Sequence, residues 1–201
     1  MEPQEHPFFV AVGASGGDGL NDIKELLQTL PKPTLAVVMV VLHRPSDRVS
    51  ALRDVLARAC DMPIVVAEEA ETFVPGTCYI GEPDAHLTLV SRNAASLVPG
   101  ADHSHRNRTI DTLFISVARH AGPRMIGVVL SGSLDDGSRG LAAIHHARGL
   151  TMVLDPEHKP RGMQQNAIDF DGPISFIGTA KEIAVTIGGI LADNRKMLRP
   201  S

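Results

Sequence analysis

The sequence predicts an α/β protein, a doubly wound and mostly parallel sheet flanked by helices, with a small inserted β-hairpin. Three observations carry that expectation. Apolar stretches without polar alternation, such as "FFVAVGA" (8–14) and "TLAVVMVVL" (34–42), suit parallel strands covered on both faces. Between them lie segments with helical spacing, as in Leu20, Ile23, Leu26, Leu27 and Leu30. The two kinds of segment then alternate along nearly the whole chain.

Taken in order, Phe8 to Ala14 is the first strand and Asp18 to Leu30 the first helix, with Asp18 or Asn21 available as its cap. Thr34 to Leu42 is the second strand, Arg48 to Ala59 the second helix, and "MPIVVAEEAE" (62–71) holds the third strand. From Thr72 to Val98 the pattern shortens. There "TCYIG" (77–81) and "HLTLV" (86–90), punctuated by Pro75, Gly76, Gly81 and Pro83, read as the inserted hairpin. "PGADHSHRNR" (99–108) is a polar loop, and Thr109 to Ala121 is a helix with Ile110, Leu113, Val117 and Ala118 inward. "RMIGVVLSGS" (124–133) is a strand, followed by a glycine-rich turn and a helix from Ser138 to Arg148. "LTMVLD" (150–155), a short helix from Met163 to Ile168, "ISFIG" (174–178) and a helix from Ala180 to Leu191 complete the scheme. No segment repeats and none is low-complexity, so one domain is expected over residues 1–201, with its core at about 8–191.

The chain has 201 residues, enough for one sizeable core. Aromatic residues make up only 3% and Trp is absent, so that core must be built from Val, Leu, Ile, Ala and Met. A net charge of −4 argues against nucleic acid as a partner. Cys60 and Cys78 form no C-x-x-C pair, which fits a reducing compartment and two buried free thiols. "MEPQEHPFF" has neither the basic nor the apolar region of a signal peptide. The longest apolar run, Leu35 to Leu42, falls far short of the ~20 residues of a membrane span. A cytoplasmic protein without membrane insertion is the expectation.

In folds of this class, ligands and reactive groups gather at the carboxyl ends of the strands. After the first strand comes Gly13-Ala14-Ser15-Gly16-Gly17; after the second comes His43; after the strand ending at Leu130 comes "SGSLDDGSRG" with Asp135 and Asp136. A serine, a histidine and a carboxylate on one rim are the parts of nucleophilic hydrolysis. The imidazole takes the hydroxyl proton, and the carboxylate orients the imidazole and stabilises its charged form. Glycines around Ser15 permit a strained turn whose backbone N–H groups face a developing oxyanion. The chain order, Ser15 first and the carboxylate last, differs from the Ser, acid, His order of α/β-hydrolases.

Other readings of the same residues stand beside this one. A dinucleotide loop would need a glycine where Asp22 stands and an acid where His43 stands. Ser15 also fits a helix-start serine whose hydroxyl satisfies backbone N–H groups. His43 fits a packing histidine, and Asp135 or Asp136 a cap for the helix starting near Ser138. The H-x-H spacing in "DHSHRNR" (102–108) lacks a third ligand and reads as solvent-facing loop, so no metal is expected.

The segments "VGASGG", "VLHRP", "PGTCYIGEPDAHLTL", "DTLFISVARHAG", "GVVLSGSLDDGSRGLAAI" and "DPEHKPRGMQQNAI", in this order, resemble the catalytic domain of CheB-type protein-glutamate methylesterases over roughly Phe8 to Leu191. The resemblance implies a doubly wound α/β fold that needs no cofactor. It also implies a serine hydrolase acting on glutamate γ-methyl esters of chemoreceptor-type proteins, with deamidation of glutamines as a second activity. Matched motif by motif, it assigns the triad to Ser15, His43 and Asp136, and the backbone oxyanion donors to Gly16 and Ser133. Three positions depart from the family pattern: Asp18 stands at a usual glycine, Ser133 at a frequent Met, and Asp135 at a frequent Asn.

Members of the family usually carry an N-terminal receiver domain. A stand-alone esterase with a separate regulatory protein is therefore expected here. Arg44, Arg106 and Arg108, with His86 near them, are candidates for a rim that would receive an acidic, glutamate-rich substrate. The competing function is a catalytically impaired binding module of the same fold, should the altered Ser15 loop fail to stabilise an oxyanion.

Overall fold

The computed structural model describes residues 7–43, 51–91, 93–99, 108–133, 135–158, 162–170 and 172–197. Its chief element is a seven-stranded parallel sheet. In chain order the strands and helices are β1 (Phe8–Ser15), α1 (Gly16–Thr29), β2 (Ala36–His43), α2 (Leu52–Ala59), β3 (Ile64–Val66) and β4 (Cys78–Ile80). Then follow β5 (Ala85–Val90), β6 (Ala94–Pro99), α3 (Thr109–His120), β7 (Met125–Val129), α4 (Ser138–His146) and β8 (Leu150–Leu154). A 3-10 turn precedes α5 (Met163–Asp169), β9 (Phe176–Gly178) and α6 (Ala180–Met197). The order across the sheet is β3-β4-β2-β1-β7-β8-β9, with β1 at the centre.

The unbroken apolar runs have the burial they require. From Phe8 to Ala14 every residue of β1 is buried, because both faces of the sheet are covered. Val10, Val12 and Ala14 face a core shared with α1, α2 and α6. Phe9 and Ala11 face a second core shared with α3, α4, α5 and the hairpin. Gly13 lies on that second face, where a Cβ would run into Ile110 of α3. Helix α3 thus rests on the backbone of β1 itself. Replacing Gly13 by Ala is expected to cost about 1–3 kcal/mol through this overpacking, read as a lower urea midpoint with an unchanged slope.

The inserted hairpin is present, but its strands are not the expected pair. "HLTLV" pairs antiparallel with "AASLVP" as β5 and β6. "TCYI" instead supplies β4, parallel between β3 and β2. The reason is burial: Cys78, Tyr79 and Ile80 are all covered, which a two-stranded ribbon cannot provide on both faces. The hairpin packs against α3, with Leu87 and Leu89 in the second core. Both thiols are free; Cys78 is buried as expected, whereas Cys60 is only half-buried. The expected polar loop at 99–108 and the start of the second helix lie largely outside the described residues, and no described helix is long and apolar enough to cross a membrane.

Candidate active site

Strand β1 leads to β2 on one side and borders β7 on the other, so the chain leaves the sheet in opposite directions at neighbouring strand ends. That divergence opens a crevice at the carboxyl ends of β1 and β7. Ser15 is the last residue of β1 and stands directly beside His43, the last residue of β2, in the parallel register. Neighbouring strands are about 4.8 Å apart. Alternation from Phe9 and Ala11, and from Val37 and Met39, sets both side chains on the α3–α4 face.

Ser15 is extended, with φ −143° and ψ 141°, and Gly16 turns at φ +71° into α1. A positive φ at this sharp strand-to-helix turn is the reason a glycine follows the serine. Ser15 occupies the N-cap of α1, yet its hydroxyl makes no capping hydrogen bond. The helix-start reading of this serine is therefore not the one the fold adopts. Among the described residues no hydrogen bond joins Ser15 Oγ to the His43 ring either. The first-turn amides of α1, beginning at Gly16, open next to the hydroxyl, and both Gly16 and Gly17 border open space. Asp18 is exposed in that turn.

His43 Nε2 lies 2.8 Å from Asp136 Oδ2, although off the direction of a straight ring N–H bond. The two ring nitrogens are thus distinguished: Nε2 meets the carboxylate, which leaves Nδ1 as the nitrogen for another partner. Asp136 is 1% exposed. Its Oδ2 accepts a hydrogen bond from Ile110 N and its Oδ1 one from Asp111 N, each at 2.8 Å. These are amides of the first turn of α3, whose own N-cap residue, Arg108, offers no side-chain cap. The carboxylate that faces His43 is therefore also the N-terminal cap of a helix. Asp135 is exposed and accepts the Ser138 hydroxyl at 3.1 Å, at the start of α4.

The turn after β7 is clamped against the serine. Ser15 N donates to Ser131 O at 2.9 Å, and Ser131 N donates to Asp22 Oδ2 of α1 at 3.2 Å. A Cβ on Gly132 would come within 2.7 Å of Ser15 Cβ, so this backbone touches the serine, and Ser133 follows it immediately. On the far side Met163 N donates to Gly132 O at 2.8 Å. Asp22, which argued in sequence against a dinucleotide loop, is buried and ties α1 to this turn.

Asp111 was not singled out by sequence reasoning. An acid in the first turn of a helix is ordinarily a dipole partner, and its binding partners here are remote in sequence. Its Oδ1 accepts from Gly137 N at 3.0 Å and from Gly140 N at 2.7 Å, the first turn of α4. Arg108 Nη1 lies 3.7 Å from its Oδ2, longer than a hydrogen bond. Burial pushes the Asp111 carboxyl up from its ordinary value; the Gly140 amide opposes this, the neighbouring Asp136 charge adds to it, and Gly137 and Arg108 oppose it. The folded chain thus holds this proton more tightly than the unfolded chain does. The associated stability is complete below the unfolded carboxyl pKa of about 3.9 and is lost as pH rises through the raised folded value. Asp111→Asn keeps an acceptor oxygen but cannot ionise. Its urea midpoint relative to wild type should therefore rise between about pH 4 and about pH 7.

Of the expected rim, Arg44 and Arg106 lie outside the described residues. Arg108 directs a guanidinium nitrogen at Asp111 while its side chain stays 42% exposed. His86, expected at the rim, is buried within β5 opposite Val98. The described residues hold no group of three or more His, Cys, Asp or Glu placed for a metal ion, and the H-x-H stretch is outside them.

A family model described as CheB methylesterase matches residues 10–187. A protein-glutamate methylesterase/protein-glutamine glutaminase of Yersinia pestis is 36% identical over 147 residues, 72% of this chain and 42% of the relative. Its counterpart from Salmonella typhimurium is 33% identical over 167 residues, 81% of this chain and 47% of the relative. The chain thus spans less than half the length of these curated relatives. Among solved structures, the Thermotoga maritima CheB methylesterase catalytic domain superposes with a TM-score of 0.82 at 25% identity, covering 92% of this chain and 98% of that domain.

Proposed function

Because this chain belongs to the CheB methylesterase family, we propose that it hydrolyses glutamate γ-methyl esters on chemoreceptor-type proteins through Ser15, His43 and Asp136. The observation that carries the reading is the uncapped Ser15 hydroxyl, set in register beside a His43 ring whose far nitrogen meets a buried carboxylate.

Ser15 Oγ attacks the γ-carbonyl carbon while its proton passes to His43 Nδ1. The resulting imidazolium is oriented through Nε2 by Asp136, which two backbone amides prevent from swinging away. Negative charge on the former carbonyl oxygen is met by the amides of Gly16, at the open N-terminus of α1, and of Ser133. Collapse expels methoxide, which leaves as methanol with the His43 proton, and Ser15 carries a glutamyl ester. His43 then deprotonates a water that attacks this ester, releasing the glutamate carboxylate and restoring the serine. A glutamine side chain fits the same cycle with ammonia as the leaving group. Every step uses groups of the chain and water.

The test is methanol release from a methylated receptor fragment by wild type and Ser15→Ala, with a fluorophosphonate probe on the same samples. Turnover in the wild type that the alanine abolishes supports both the substrate class and the nucleophile. Probe labelling at Ser15 without methanol release would keep the hydrolase and reject the substrate. Neither labelling nor turnover would leave a binding module.

A further inference from the structure

Asp111 and Asp136 form a reciprocal clasp. The Asp136 carboxylate holds two amides of α3, one of them the Asp111 amide, and the Asp111 carboxylate holds two amides at the start of α4, one of them the amide of Gly137, directly after Asp136. Each aspartate therefore fixes the backbone of the other. The turn between them rests on one residue in the left-handed region, Gly137 at φ +103°, where a Cβ would run into Val129 and Ile110. Both carboxylates are buried, and Arg108 approaches the pair only at the outer oxygen of Asp111.

A helix start needs no such arrangement for its own sake, since a local Ser, Thr, Asp or Asn supplies the same bonds. Here the N-cap positions of both helices, Arg108 and Gly137, give no side-chain cap, and the two acids exchange that task across the site. We infer that Asp111 is a positioning residue for the site, holding the Gly137 turn so that Asp136 stays against His43. The inference deepens the hydrolase reading and uses it only for its activity readout. A displacement of about 1 Å in such a constellation can cost on the order of 100-fold in rate.

The experiment compares wild type with Asp111→Ala, Asp111→Ser and Asp111→Asn, all as the full chain. Two readouts are taken: the rate at which a fluorophosphonate labels Ser15, and the downfield proton NMR signal of the His43 ring N–H facing Asp136. The alanine variant is expected to slow labelling about 10- to 100-fold and to lose the downfield signal. The asparagine variant, which keeps an acceptor for Gly137 and Gly140, should restore the signal and bring labelling within about threefold of wild type. The serine variant keeps one short acceptor and takes the place of alanine if the latter fails to fold.

A folded alanine or serine variant with wild-type labelling, an intact signal and only a lowered melting temperature would reduce Asp111 to a helix cap and overturn the inference. So would an asparagine variant as impaired as alanine. A wild type that shows the downfield signal but does not label would reject the hydrolase reading, while the signal in the variants still decides the role of Asp111. A wild type with neither would overturn both.

Discussion

Ser15→Ala is expected to abolish methanol release and fluorophosphonate labelling, a loss on the order of 10⁶ in kcat, while leaving the fold untouched. The two halves of this expectation come from the same observation. A serine at a helix N-cap ordinarily holds a backbone amide, and its loss costs about 1 kcal/mol. Ser15 holds none, so the alanine variant should unfold within about 0.5 kcal/mol of wild type. A serine kept only for stability would give the opposite pattern, with activity retained and the midpoint lowered. Urea denaturation and methanol release on one preparation separate the two.

Asp136→Asn should be nearly as damaging, by about 10⁴ in kcat, and unlike Ser15→Ala it should also destabilise the chain. Both carboxylate oxygens accept backbone N–H groups, and one of them also meets His43. Whichever way an asparagine amide is turned, its NH₂ faces an N–H donor at the start of α3. Leaving that donor without an acceptor in a buried site costs about 1–3 kcal/mol. A triad aspartate in a roomier site would pass this substitution with its stability intact. The checks are kcat on the methylated fragment and the urea midpoint, which should fall together.

The sheet and its helices were legible in the sequence because parallel strands buried on both faces leave an apolar run that polar alternation cannot imitate. The positions of Ser15, His43 and Asp136 were legible for a related reason: each follows such a run, and strand ends in this topology converge on one rim. What the sequence hid depends on partners far along the chain. Tyr79 and its neighbours look like half of a ribbon until the gap between β3 and β2 claims them. The true turn of the hairpin follows β5 directly and carries Ser91 at φ +54°, a conformation its identity does not announce. His86 reads as a polar candidate for the rim, yet it is buried in β5, where cover comes from parts of the chain that the sequence does not place beside it. Asp111 is local to one helix in sequence and belongs to another in space.

The central place of β1 has a consequence for when the proposed site can form. This strand meets β2 early, but its other edge is completed only by β7, which lies beyond the hairpin and α3. Closing so long a loop is slow, and it must precede any contact between the serine and the turn that carries the carboxylate. A nascent or clipped chain that ends before β7 holds the nucleophile and the histidine without the backbone that presses on them. The proposed hydrolysis therefore requires that β1 has met β7, and the appearance of turnover during refolding would time that pairing.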